Sequence, residues 1–268
     1  MSNTSDVRYL KTLIDPIRVC ASYRPKMGQG VGAGLTLKEF QALYRADPFY
    51  TWYGLDHPLM YAAHKAAGGM TSVYRQVGIG AERLFRLILQ DHLGLSVDQS
   101  EWSYETKSSG AKARTLSLDG RIEFAAVCDT TKRKRVEDWM KAAADDLGIA
   151  KEIRNTLKGT VFEVRQGYKS KDSKRQNADI ANASTAYTRA YLPCVVVLSS
   201  QIDYDIVTRY RNEQWAILTG SVTEHSTIRS TYAFVRDVVG FDLASFFTRN
   251  SDTLRTEVHK VLHALLSP

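Results

Sequence analysis

Glu163 and Arg165 stand two positions apart in the segment TVFEVRQGYK. Side chains alternate across an extended strand, so Val161, Glu163 and Arg165 share one face while Phe162 and Val164 take the other. A carboxylate and a guanidinium therefore emerge side by side. The chain then enters a strongly cationic stretch carrying Lys169, Lys171, Lys174 and Arg175. A strand-borne carboxylate delivered into a field of cations suits metal-assisted attack on a polyanion, in which the carboxylate holds a divalent cation and the cations hold phosphates. The plainer alternative is an ion pair on a solvated sheet face beside ordinary loop charge.

The elements that must position these residues can be read outward from them. Thr160 to Gln166 predicts a strand, and Ala178, Ala181, Ala186, Tyr187 and Ala190 recur at roughly helical spacing. Cys194 opens an apolar strand, CVVVLSS. Upstream, Ile79 to Leu93 is the strongest helical signal, with Leu84, Phe85, Ile88 and Leu89 in one stripe, Glu82 in its first turn and Gly94 at its end. Trp102 to Tyr104 predicts a short strand. In TLSLDGRIEFAAV, Asp119-Gly120 is either a hairpin turn or the start of a strand. Residues 131–148 predict a helix ending at Gly148, Gln214 to Gly220 a strand, and Thr253 to Leu266 a terminal helix. Ser230 to Val238 reads equally as helix or strand. Near the N-terminus, Val7 to Ile17 predicts a short helix that stops before Pro16, and Leu37 to Tyr44 a helix with Thr36 and Glu39 as a capping box. The loop MGQGVGAG lacks the GK[ST] ending of a phosphate-binding loop and is expected to be a flexible connection. Phe49, Tyr50, Trp52, Tyr53 and Tyr61 are expected in the core or at a dimer interface.

Composition bounds the class. The 268 residues can bury a full core, and the net charge of +7 favours a polyanionic partner. One domain over 1–268 is expected, with an N-terminal subregion (1–78), a core (79–220) and a C-terminal helical part (221–268). No apolar run approaches a membrane span and the N-terminus lacks a signal peptide's apolar stretch, so a cytoplasmic protein without membrane contact is expected. Cys20, Cys128 and Cys194 are odd in number and far apart, which predicts buried thiols rather than disulfides or a zinc site. His259 and His263 are expected to pack rather than to hold a metal. No nucleophile elbow or HExxH pattern is present.

The order of helix, hairpin carrying an acidic residue, Glu-bearing strand, helix and buried strand, taken with EVRQGYKSKDSKRQNAD, resembles the PD-(D/E)XK nuclease superfamily over about residues 79–220. Size and charge look like a type II restriction endonuclease. The resemblance implies an α/β fold with a mixed central β-sheet flanked by helices, a restriction-endonuclease-like core, and Mg²⁺ held by Asp119 and Glu163, with Asp129 the competing earlier acid and Glu82 a candidate third carboxylate. It implies cleavage of duplex DNA at a specific, palindromic site by a homodimer. Lys171, Lys174, Arg175, Gln176 and Asn177 would contact DNA, the last two being residue types that read adenine edges. The chain departs from the pattern at Arg165, where the family carries lysine. Arginine stays protonated and cannot serve as a general base, so either Arg165 acts electrostatically or Lys169 or Lys171 folds back. The alternatives are a non-catalytic nucleic-acid-binding protein and a DNA-repair or RNA-processing nuclease.

Overall fold

The computed structural model describes residues 4–27, 32–106, 114–168, 177, 179 and 184–268. Its helices and strands follow in order. Helix α1 (Thr4–Arg18) leads into a 3-10 turn, followed by α2 (Leu37–Arg45), α3 (Pro48–Trp52), α4 (Pro58–Leu93) and α5 (Val97–Ser100). Then come β1 (Trp102–Thr106), β2 (Arg114–Leu118), β3 (Gly120–Glu123), α6 (Thr130–Asp146), α7 (Lys151–Arg154), β4 (Gly159–Arg165) and β5 (Tyr191–Val197). The chain closes with α8 (Tyr204–Asn212), β6 (Ala216–Leu218), α9 (Thr231–Ala233), a π-helical stretch (Phe234–Val239) and α10 (Leu243–Leu266). The chain is mixed α/β. It divides into two units, 1–80 with 249–268, and 81–248.

In the first unit, α1 runs through Pro16 instead of stopping before it. Leu13, Ile14, Pro16 and Ile17 are all buried, so the apolar stripe holds the turn that the missing amide hydrogen weakens. Thr36 caps α2, and Glu39 returns a 2.7 Å hydrogen bond from the Thr36 amide. The expected helix at 79–93 is the last part of the 36-residue α4, and Gly94 ends it at φ +71°. Phe49, Trp52 and Tyr53 lie on the surface, Trp52 at 81% exposure, while Tyr61 is buried with Leu35 and Phe40. The core expectation therefore holds for Tyr61 and fails for the α3 aromatics, whose five-residue helix presents no buried face. Cys20 and Cys194 are buried, but Cys128 is exposed. His259 and His263 are also exposed, on α10.

The second unit carries the mixed sheet. Among the described residues, β1 and β2 form a two-stranded antiparallel ribbon, and the order β3-β4-β5-β6 forms a four-stranded sheet. Strand β3 is antiparallel to β4, whereas β4, β5 and β6 are parallel. Asp119-Gly120 is thus no hairpin turn: β2 and β3 belong to different sheets, and Gly120 starts a strand. Both faces of the parallel strands are covered, which is why β5 reads as one apolar run. On one face Val161, Val195, Val197, Tyr210, Trp215 and Ile217 form a core. On the other, the Phe162 ring packs against Phe85, Trp139 and Phe234, with centroids 5.1, 6.2 and 5.7 Å away. In the ambiguous 230–238 segment Ser230 makes an isolated parallel bridge to Thr219 and the rest is helical, with Phe234 packed on Trp139 and Phe162 and Val235 and Val238 buried. No helix among the described residues is long and apolar enough to cross a membrane.

Candidate functional site

Pairing between β3 and β4 decides which acids meet. The register sets Gly120 against Phe162 and Arg121 against Val161, and one further step sets Asp119 against Glu163. Two hydrogen bonds fix that step. The Asp119 amide donates to the Phe162 carbonyl at 2.8 Å, and the Val164 amide donates to Asp119 Oδ2 at 2.8 Å. Gly159 permits the pairing. A Cβ there would lie 2.1 Å from the Ile122 carbonyl oxygen, so any side chain would push β3 off β4.

Alternation along β4 brings Glu163 and Arg165 to the same face, where they form an ion pair. Both are buried, at 7% and 8% exposure. The same Arg165 nitrogen, Nη2, meets the Asp179 carboxylate at 2.9 and 3.1 Å. Asp179, itself 4% exposed, accepts at Oδ2 from the Tyr210 hydroxyl at 2.6 Å and the Tyr168 hydroxyl at 3.3 Å, and the two tyrosine hydroxyls lie 2.8 Å apart. Tyr210 comes from α8 and Tyr168 from the turn after β4. That turn is tied to the segment after β5 by the Tyr168 amide donating to the Gln201 carbonyl at 3.0 Å.

Charge here is unbalanced. Asp119, Glu163 and Asp179 share one guanidinium, and Glu82 and Arg86 add weaker fields from α4. Burial pushes the Glu163 carboxyl well above the ordinary glutamate range, Asp119 pushes the same way, and Arg165 only partly offsets them. Burial also raises Asp119, against the opposing Val164 amide and the charge of Arg165. Burial lowers the Arg165 guanidinium's affinity for its proton, but the charges of Glu163 and Asp179 outweigh this and hold the group above its usual value. Arg165 is therefore permanently cationic. Burial raises Tyr168 and Tyr210, so both remain hydrogen-bond donors.

Two opposed carboxylates that resist joint ionisation fit a hard divalent cation, which would compensate what one arginine does not. Among the described residues no three His, Cys, Asp or Glu side chains are grouped as a metal site. Mg²⁺ commonly uses one or two carboxylates, with waters and substrate phosphate completing its octahedron, so the pair Asp119 and Glu163 matches that donor set.

The other candidates fall elsewhere. Asp129 is exposed and caps α6, accepting from the Thr131 and Lys132 amides at 2.9 and 3.0 Å. Glu82 is partly buried inside α4, far from its first turn, so compensation of a helix terminus does not explain it. Asn177 is exposed and accepts from Arg209 Nη2 at 2.5 Å. Lys169, Lys171, Lys174, Arg175 and Gln176 lie outside the described residues. Sequence reasoning missed Asp179, Tyr168 and Tyr210. Asp179 sits in a run dominated by cations, and Tyr210 is one aromatic on the inner face of α8 with Ile206. Only the spacing of Ile206 and Tyr210, one helical turn apart, could have marked that face.

Comparison of the chain with protein-family models, with curated proteins and with solved structures returns no match.

Proposed function

We propose that residues 81–248 form a restriction-endonuclease-like core and that the protein is a Mg²⁺-dependent type II endonuclease of duplex DNA, acting as a homodimer on a palindromic site. The observation that carries this reading is Asp119, immediately before β3, set opposite Glu163 of β4, with more buried negative charge than Arg165 balances. Asp119 and Glu163 would hold Mg²⁺, which, when bound, supplies Lewis-acid polarisation of a phosphate oxygen and a more acidic water. The Val164 amide fixes Asp119, and Arg165 fixes Glu163. Since Arg165 is held between Glu163 and Asp179, its role is positioning, and proton acceptance falls to another group. The net charge of +7 suits a polyanionic substrate.

A second reading rests on the network around Arg165, in which Nη2 is paired with both carboxylates and the buried Nε has no partner. Two carboxylates paired with one guanidinium, and two tyrosine hydroxyls donating to Asp179, also describe a purely structural knot that ties β4 to Asp179 and α8, in a nucleic-acid-binding protein without catalysis. Phage DNA incubated with the purified protein in Mg²⁺ or in EDTA separates the two. The nuclease reading expects discrete fragments only with Mg²⁺, and their loss in Glu163→Gln. Salt-dependent DNA binding with no metal-dependent cleavage leaves the structural knot.

A further inference from the structure

The opposite end of the same sheet has a different chemistry. Lys158 immediately precedes β4, Tyr191 opens β5 and Glu123 closes β3, whose antiparallel direction brings its last residue to this end. Together with Arg121, Arg189 and the β1 residues Trp102 and Ser103, they line a cavity of about 440 Å³.

Each of its three cations is anchored by a neutral partner. The Arg121 guanidinium donates to the carbonyls of Gln99 at 3.1 Å and Asp98 at 2.8 Å. The Lys158 ammonium lies 4.9 Å from the Tyr191 ring centroid, and the Arg189 guanidinium 5.5 Å from that of Tyr104. Carbonyls and ring faces place a cation without cancelling its charge. Among the described lining residues the one carboxylate, Glu123, already accepts the Tyr191 hydroxyl at 2.7 Å. Burial, with Glu123, pushes that hydroxyl up to about 12, so it remains a donor at neutral pH. Among the described lining residues three positive charges face one engaged carboxylate, which makes the concave site net cationic, with donors converging from β3, β5 and the segments before β4 and β5.

We propose that this cavity binds a phosphate group, with Lys158 and Arg189 as its exposed cations and Arg121 as the fixed one. A dianion or a phosphodiester matches the surplus charge, and the volume leaves room for whatever the phosphate is attached to. This inference does not rest on the nuclease reading. Lys158 and Glu163 are five positions apart along the strand, which at ~3.3 Å per residue is about 17 Å. That distance excludes the scissile position, but on a bound duplex it reaches a backbone phosphate that flanks the scissile one. The same chemistry could come from a free phosphate or a phosphorylated small molecule.

The test titrates the full chain with inorganic phosphate by calorimetry. In parallel, binding to a fixed duplex oligonucleotide in Ca²⁺ is measured across salt concentrations. The variants are Lys158→Gln, Arg189→Gln and the two combined, with Lys151→Gln as an exposed control. Phosphate should bind the wild type and weaken about tenfold or more in the double variant, with the control unchanged. If the pocket meets nucleic acid, the double variant also lowers the salt slope by about two units; if the slope stays put while phosphate binding falls, the source is a free phosphate compound. Lys158→Arg should retain binding in either case. Should the double variant fail to fold, protection of Lys158 from acylation by added phosphate, read by mass spectrometry on the wild type, serves instead. Equal phosphate affinity and equal salt slope in wild type and double variant, or no phosphate protection of Lys158, overturns the proposal.

Discussion

The two ends of β4 carry opposite charge under opposite conditions of burial. At its C-terminal end, Glu163 and Arg165 are buried and meet Asp119 and Asp179, so each charge there is tolerated only through its neighbours. At its N-terminal end, Lys158 and Arg189 are exposed and rest on aromatic rings. A buried charge is coupled to the fold, while an exposed one acts almost independently. Substitutions at the first end should therefore alter stability, protonation and activity together, and substitutions at the second should alter binding alone.

The largest effect is expected for the acids. Under the nuclease reading, Glu163→Gln or Asp119→Asn should slow cleavage about 10³-fold, equivalent to several kcal/mol of charge stabilisation, while DNA affinity changes only a few-fold. Asp129→Ala, which removes only a helix cap, should leave the cleavage rate unchanged in single-turnover assays. Full activity of Glu163→Gln would dissolve the distinction drawn for this end of the strand.

Next in size is Arg165. Arg165→Ala leaves Glu163 and Asp179 buried without their common cation and should cost about 3 to 5 kcal/mol in urea unfolding, with Arg165→Lys recovering part of it. A loss below about 1 kcal/mol would mean that the acids are solvated and the contrast with the other end is false.

A smaller effect should appear in pH dependence. The Glu163 carboxyl is raised by folding, so the folded state keeps a proton that the unfolded state releases. This stabilisation is complete below the unfolded value of about 4.3 and is lost as pH rises through the folded value. Asp119 acts with the same sign. Relative to Glu163→Gln, the wild type should therefore lose stability with rising pH in the absence of metal. Mg²⁺ should raise its melting temperature more at the high-pH end, because the ion favours the ionised pair. Parallel pH profiles for wild type and Glu163→Gln would remove the coupling.

The smallest effect is at the cationic end. Lys158→Gln and Arg189→Gln should each shift the melting temperature by no more than about 2 °C. A larger shift would show that these cations hold the sheet together as Arg165 does.

Much of the scaffold was legible along the chain because it depends on near neighbours. Alternation set Glu163 and Arg165 on one face of β4, the apolar run CVVVLSS announced a buried strand, which the structure starts three residues earlier at Tyr191, and Thr36 with Glu39 announced the start of α2. Gly94 and Gly148 marked helix ends, both with positive φ. Three features were not legible. Pro16 stayed inside α1 because its burial outweighs a lost hydrogen bond. Asp119-Gly120 began a strand instead of turning a hairpin because the partner of β3 is β4, far along the sequence. Asp179 and Tyr210 joined Arg165 across 14 and 45 positions. Local periodicity fixes which face a side chain takes, since it follows from backbone geometry over a few residues. Which acids and hydroxyls meet on that face depends on strand order and on how helices cover the sheet. Those are outcomes of burying the whole apolar surface at once, and they alone set the protonation of Glu163.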